Sequence, residues 1–315
     1  MQRQKLFIAT FTLVLLGFQM AMYGQELAAT LNGTVTDPSG AVIADATVGI
    51  TQNGTNGNPR TVQTDARGNY TATNLAAGNY TVTVTAAGFQ TYAIQNVTLF
   101  VAQSRSVNAV LKPGSVSQTV TVQASAVTVD TTSSAVEGTI SGTQVRELQL
   151  NNRNFEQLVT LQPGVVSALP DEVGFGLSNT SSVAVNGVRD TANNWTVDGA
   201  DINDSGSNAT LLNVPSVDSI QEFTLERSTY DAGFGRSGGG QILVSTKSGT
   251  SQFHGDAYEF NRNDIFNANS FFNKQATPVV PRAIERYNDY GFTIGGPLYI
   301  PKVYNTAKDK LFVFW

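Results

Sequence analysis

The chain has 315 residues, a formal net charge of -5, charged residues at only 14%, and 29 glycines. That balance offers no basic stripe for nucleic acid, and its Gly, Ser, Thr and Asn suit short strands and tight turns better than long amphipathic helices. Cysteine is absent and histidine occurs once, at His254. Thiolate chemistry, cysteine-ligated metals and a two-histidine zinc site are thereby excluded, and a Ser-His-Asp triad has only that one imidazole to draw on. The expectation is a protein that is not an enzyme, with no catalytic residues, no cofactor and no metal.

Arg3 and Lys5 open the chain, an apolar run of about 13 residues fills 6–18, and small or polar residues follow to Gly24 and Gln25. A charged start, a short apolar centre and a small-residue exit are the parts of a secretory signal, expected over residues 1–24. A membrane anchor is the alternative, but the run falls short of the ~20 apolar residues that span a bilayer.

Residues 28–112 alternate strand patterns with turn signals. Asp37-Pro-Ser-Gly40 has proline at the second position of a turn, and Asp65-Ala-Arg-Gly68 marks another. The clearest strand is Tyr80-Thr-Val-Thr-Val-Thr85, with Tyr80, Val82 and Val84 on one face and Thr81, Thr83 and Thr85 on the other. About seven strands at this spacing predict an antiparallel sandwich. Gly33-Thr-Val-Thr-Asp37, Gly40, Ala46-Thr-Val48, Gly68-Asn-Tyr70, Leu75, Gly78-Asn-Tyr80 and Gly88-Phe89 resemble the carboxypeptidase regulatory-like domain. That resemblance implies a transthyretin-like sandwich, a fold often labelled carbohydrate-binding-like. A folded periplasmic spacer is the plainer expectation, because one fold hosts many functions. The zinc peptidase for which the domain is named is not expected, with a single histidine available.

Pro113-Gly114 marks a boundary, and 113–136 reads as a linker rich in Ser, Thr and Val. Its stretch Gln118-Thr-Val-Thr-Val-Gln123 alternates. Such a segment can add to a partner's sheet through main-chain hydrogen bonds, and an eighth strand of the sandwich would have the same pattern.

Residues 137–250 read as a small α+β unit. Leu150, Phe155, Leu158, Val159 and Leu161 suggest a short helix with an apolar side, stopped by Pro163-Gly164. Leu148-Gln-Leu-Asn-Asn-Arg-Asn-Phe155, Val185-Asn-Gly-Val-Arg189, Trp195-Thr-Val-Asp-Gly199, Ser219-Ile-Gln-Glu-Phe223 and Ile242-Leu-Val-Ser-Thr-Lys-Ser-Gly249 follow in order. Together they resemble the plug domain of Oar-like TonB-dependent receptors. The resemblance implies a plug that occludes a barrel, an unidentified extracellular ligand, and energy from TonB. TonB would pair with a short segment ahead of the plug, for which Thr119, Val120, Thr121 and Val122 stand in the right place. The glycine-rich stretch 233–240 lacks the spacing of a phosphate loop. Asp201-Ile-Asn-Asp-Ser-Gly206 matches half a calcium loop but has Leu212 where a bidentate acid belongs, so Asp198, Asp201 and Asp204 read as a solvated loop.

Residues 251–315 carry strand-length alternations with many aromatics. His254, Asp256, Tyr258 and Phe260 share one face, and Tyr290, Phe292 and Ile294 share another. That is the sequence signature of outer-membrane barrel strands, and Gly291-Phe-Thr-Ile-Gly-Gly-Pro297 again resembles the Oar-like receptors. The fold expected is mainly β: a transthyretin-like antiparallel sandwich, an α+β plug, and the first strands of an incomplete transmembrane barrel. The function expected is the N-terminal portion of an outer-membrane receptor with its sandwich in the periplasm, the chain being a truncated or partial reading of it. The alternative is a secreted β-rich adhesin or carbohydrate-binding module.

Overall fold

The computed structural model describes residues 28–123, 134–167, 182–230 and 233–315. The expected signal peptide at 1–24 and the linker residues 124–133 lie outside the described residues.

The N-terminal unit is a two-sheet sandwich. β1 (Ala29–Thr36) is flanked by β4 (Asn69–Leu75), antiparallel, and by β7 (Ser104–Ser106) and β8 (Ala109–Val110), both parallel. The facing sheet has the order β3-β2-β5-β6-β9, built from β3 (Arg60–Gln63), β2 (Thr47–Gln52), β5 (Gly78–Thr85), β6 (Thr91–Leu99) and β9 (Thr119–Gln123). The two Asp-x-x-Gly turns form as read. In each, the aspartate side chain accepts backbone N–H groups ahead of it: Asp37 from Ser39 and Ala41, Asp65 from Arg67 and Asn69. Tyr80, Val82 and Val84 are buried as the alternation requires, in one core with Leu31, Val48 and Leu99. Each such side chain contributes about 1.5–3 kcal/mol by leaving water. The antiparallel expectation holds for the hairpin-connected strands. β7 and β9 pair in parallel because each follows a connection that crosses from one sheet to the other, and β8 continues β7 along β1 after two residues.

The middle unit is a five-stranded sheet of order β10-β15-β16-β13-β14: β10 (Val136–Ser141), β15 (Ile220–Ser228), β16 (Gln241–Thr246), β13 (Asn194–Val197) and β14 (Ala200–Asp201). β11 (Val165–Ser167) and β12 (Val183–Val185) form a separate pair. The single helix expected near 150–161 is two short pieces displaced along the chain. α1 (Gly142–Glu147) starts from a capping box in which Ser141 and Gln144 bond each other's backbone. α2 (Glu156–Val159) follows a break where Asn152 and Arg153 take φ of 52° and 56°. Phe155, Leu158 and Val159 reach the core, whereas Leu161 is 56% exposed.

The C-terminal unit is a meander of β17 (His254–Asn263), β18 (Arg286–Pro297) and β19 (Phe312–Phe314), paired antiparallel without closing into a barrel. Among the described residues no helix is long and apolar enough to cross a membrane, which leaves these strands untouched as a membrane element. A short helix, α3 (Phe271–Gln275), lies in the β17–β18 connection.

Candidate functional site

The expected pairing segment is a strand already in place. Thr119, Val120, Thr121 and Val122 run parallel to Thr91, Tyr92, Ala93 and Ile94 of β6, at the end of the sheet order. Side-chain amides flank the pairing: Gln90 donates to Gln118 at 2.9 Å, and Asn96 donates to Gln123 at 2.8 Å. Val120 is half-buried and Val122 exposed. The strand is therefore held mostly by its main chain, and its outer edge has no partner strand among the described residues.

The middle unit is organised around Phe155, Trp195 and Phe223. The Phe155 ring meets Trp195 edge-on at 6.1 Å between centroids and tilts against Phe223 at 6.0 Å. The three aspartates of the half calcium loop go to separate tasks. Asp198 accepts from the backbone N–H and hydroxyl of Thr246 at 2.9 and 2.7 Å, and Asp201 pairs with Arg236. Asp204 accepts from Gly206 N–H and from Ser207 N–H and hydroxyl, and these bonds hold its carboxyl below the usual carboxylate range. Among the described residues no three His, Asp or Glu side chains are grouped for a metal.

His254 is exposed at the start of β17, with Nδ1 3.1 Å from the Gln252 carbonyl and its ring stacked on Phe314. Among the described residues its hydrogen-bond partners are Gln252 and the Thr250 hydroxyl, not a serine and an aspartate. On β18, Tyr290, Phe292 and Ile294 are 77%, 63% and 53% exposed, while Thr293 between them is buried. One face of the meander therefore points a row of apolar side chains outward, and the other turns toward the middle unit.

Across that inner face run contacts that the sequence did not announce. Arg153, nine-tenths buried, pairs with Asp218 at 2.5 Å and lies 4.0 Å over the Phe260 ring of β17. Arg262 donates to the Asn152 side chain at 3.0 Å, and the Ser216 and Tyr258 hydroxyls are 2.9 Å apart. Of these groups Arg153, Ser216 and Tyr258 border a cavity of about 360 Å³, together with Leu211, Val214, Tyr287 and Asp289. Arg153 takes a positive φ, a conformation that leaves no trace in a residue pattern.

A second set of contacts joins the sandwich to the rest. Glu222, on β15 and 5% exposed, accepts the backbone N–H of Val101 at 2.7 Å, just beyond the end of β6. Burial pushes its carboxyl up to about 7, with the Val101 N–H opposing. Ser251 donates both its backbone N–H and its hydroxyl to the Gly54 carbonyl at 3.0 Å. Asn56 reaches the Ala307 carbonyl in the β18–β19 turn. The sequence signal for Glu222 is faint: β15 carries two acids, Glu222 and Glu226, and nothing in its pattern separates them.

Comparison with known proteins gives three matches in chain order. The carboxypeptidase regulatory-like domain matches residues 30–112, the TonB-dependent receptor plug domain matches 128–241, and the outer membrane beta barrel domain matches 245–315. The TonB-dependent transporter Oar of Myxococcus xanthus is 28% identical over 298 residues, covering 90% of this chain and 26% of that protein. The chain thus spans about a quarter of the length of the curated relative it matches. Among solved structures, the siderophore receptor PirA from Acinetobacter baumannii is 19% identical over 51% of this chain and 22% of its own, with a TM-score of 0.37. The siderophore receptor PirA from Pseudomonas aeruginosa is 17% identical over 52% of this chain and 24% of its own, with a TM-score of 0.35.

Proposed function

The chain belongs to the Oar-like TonB-dependent receptors of the bacterial outer membrane, and from that premise we propose that it plugs a barrel and passes a TonB-borne pull to the plug during energised uptake of a ligand. It is not an enzyme, and its N-terminal region lies in the periplasm. The observation that carries the proposal is the position of Thr119–Val122: a strand whose outer edge has no partner strand among the described residues, ahead of the plug's edge strand β10 in the chain. A main-chain partner needs such an edge and little from side chains. The sandwich acts as a periplasmic module. Its large exposed apolar side chains, Val42, Val110, Val116 and Val122, include no aromatic platform among the described residues, so nothing specific favours sugar binding.

The test is binding of the full chain, in detergent, to the periplasmic domain of TonB. Val120→Pro and Thr121→Pro remove neighbouring N–H groups, which point to opposite edges of a strand. One of the two should abolish binding, and Thr121→Ala should preserve it. Undiminished binding by both proline variants would sink the assignment of this segment.

A further inference from the structure

β9 and β10 bracket the junction between sandwich and plug, each laid on a strand of its own unit. β9 lies on β6, and β10 lies on β15 with Ser141 opposite Glu222. Val101 follows β6 by two residues, and its N–H reaches Glu222 on β15. One hydrogen bond therefore joins the two strands that carry the ends of the junction. It is buried on both sides, Val101 being 4% and Glu222 5% exposed. Glu222 lies on the sheet face away from the aromatic core, together with Thr224 and Leu243, which pair in register and are also buried. The Gly54–Ser251 and Asn56–Ala307 contacts hold the sandwich from a second direction.

We propose that the Val101–Glu222 hydrogen bond is a clasp pinning β6 to β15, so that a pull on the junction loads β9 and β10 first and the sandwich leaves the plug only when the clasp opens. A buried donor and acceptor that lose each other each keep their desolvation penalty, so the clasp opens as a unit. The order of loading rests on the TonB reading above. The clasp itself does not, and its test needs no TonB.

The absence of cysteine makes the test clean. A Cβ built on Gly54 lies 4.0 Å from the Thr250 Cβ, inside the 3.5–4.5 Å range of a disulfide, so Gly54→Cys with Thr250→Cys reports whether sandwich and plug are together. The strain of a side chain at Gly54, where φ is +82°, is common to every protein compared. Two variants open the clasp from opposite sides. Glu222→Ala removes the acceptor. Val101→Pro removes the donor, at the second position of a turn closed by Gln103 N–H to the Phe100 carbonyl with φ +58° at Ala102, where proline is favoured. In the full chain in detergent, at a urea concentration where both units stay folded but are mostly apart, each variant should slow disulfide formation by about 5-fold or more, the factor that 1 kcal/mol gives. Glu222→Gln, which keeps an acceptor oxygen, should leave the rate unchanged. The double variant should be no slower than the slower single one, since both remove one bond. Amide exchange in β5 and β16 verifies that each unit is folded, and should one variant misfold, the other probes from the intact side. An unchanged rate in Val101→Pro and Glu222→Ala, or losses that add in the double variant, overturns the clasp.

Discussion

A carboxyl group with one N–H for company and no cation beside it is a poor place for a charge, and among the described residues Glu222 is such a group. Its register partners Ser141 and Ser245 are neutral, Val101 presents only its N–H, α1 packed on β15 carries Arg146 and Glu147, and the next acid along its own face is Glu226. Its folded pKa, about 7, lies above the ordinary 4.5. The folded state therefore holds the proton more tightly. The stability this gives is complete below pH 4.5 and lost as pH rises through 7. The loss should be on the order of 2 kcal/mol between pH 5 and 8. Glu222→Gln should flatten it, as read by urea unfolding at both pH values, and an equally steep variant would refute the assignment. Asp37, Asp65 and Asp204 bend the curve the other way. Hydrogen bonds hold their carboxyls below the ordinary value, so their contribution stands above pH 3.8 and fades in stronger acid. The aspartate turns were legible because the aspartate, the glycine and the partner N–H groups lie within five residues. Glu222 was not: its partner is 121 residues away, and no local pattern encodes that distance.

Among the elements, the strands with clean alternation came through the sequence intact, since burial of one face is a property of the strand itself. β5 is the clearest instance. The helix did not. Its apolar residues suited one turn after another, but Asn152 and Arg153 leave the helical region, and the apolar side divides between a buried Phe155 and an exposed Leu161. Parallel pairing was equally hidden, because which strand lies beside β1 is decided by the whole sandwich. Gly33 records that decision. A Cβ there would run into the Val107 carbonyl, whose oxygen also accepts the Tyr70 hydroxyl at 2.7 Å, and the Tyr70 ring stands 2.9 Å away. Gly33→Ala should therefore destabilise the sandwich by about 1–3 kcal/mol, with little effect on amide exchange in β15 and β16. A neutral substitution in thermal melts would show that β1 and Val107 are less closely packed.

For the molecule as a whole, the plug is a five-stranded sheet whose edge strand β10 continues from the junction, and the sandwich contacts both that sheet and the turn between β18 and β19. The family assignment was readable because the sequence blocks occur in a fixed order along the chain. The clasp and the Arg153 contacts were not, since they join units that no short motif spans.

The contact between Asn56 and Ala307 assigns sides to the membrane. A periplasmic sandwich that touches the β18–β19 turn fixes that turn on the inner side of the bilayer, and an antiparallel hairpin must then carry the β17–β18 connection, with α3, to the cell exterior. In a chain without cysteine, Lys274→Cys and Lys302→Cys, both at exposed positions, become two address labels. A membrane-impermeant maleimide added to intact cells producing the receptor should mark the first and reach the second only after the outer membrane is opened. The reverse pattern would turn the whole reading inside out.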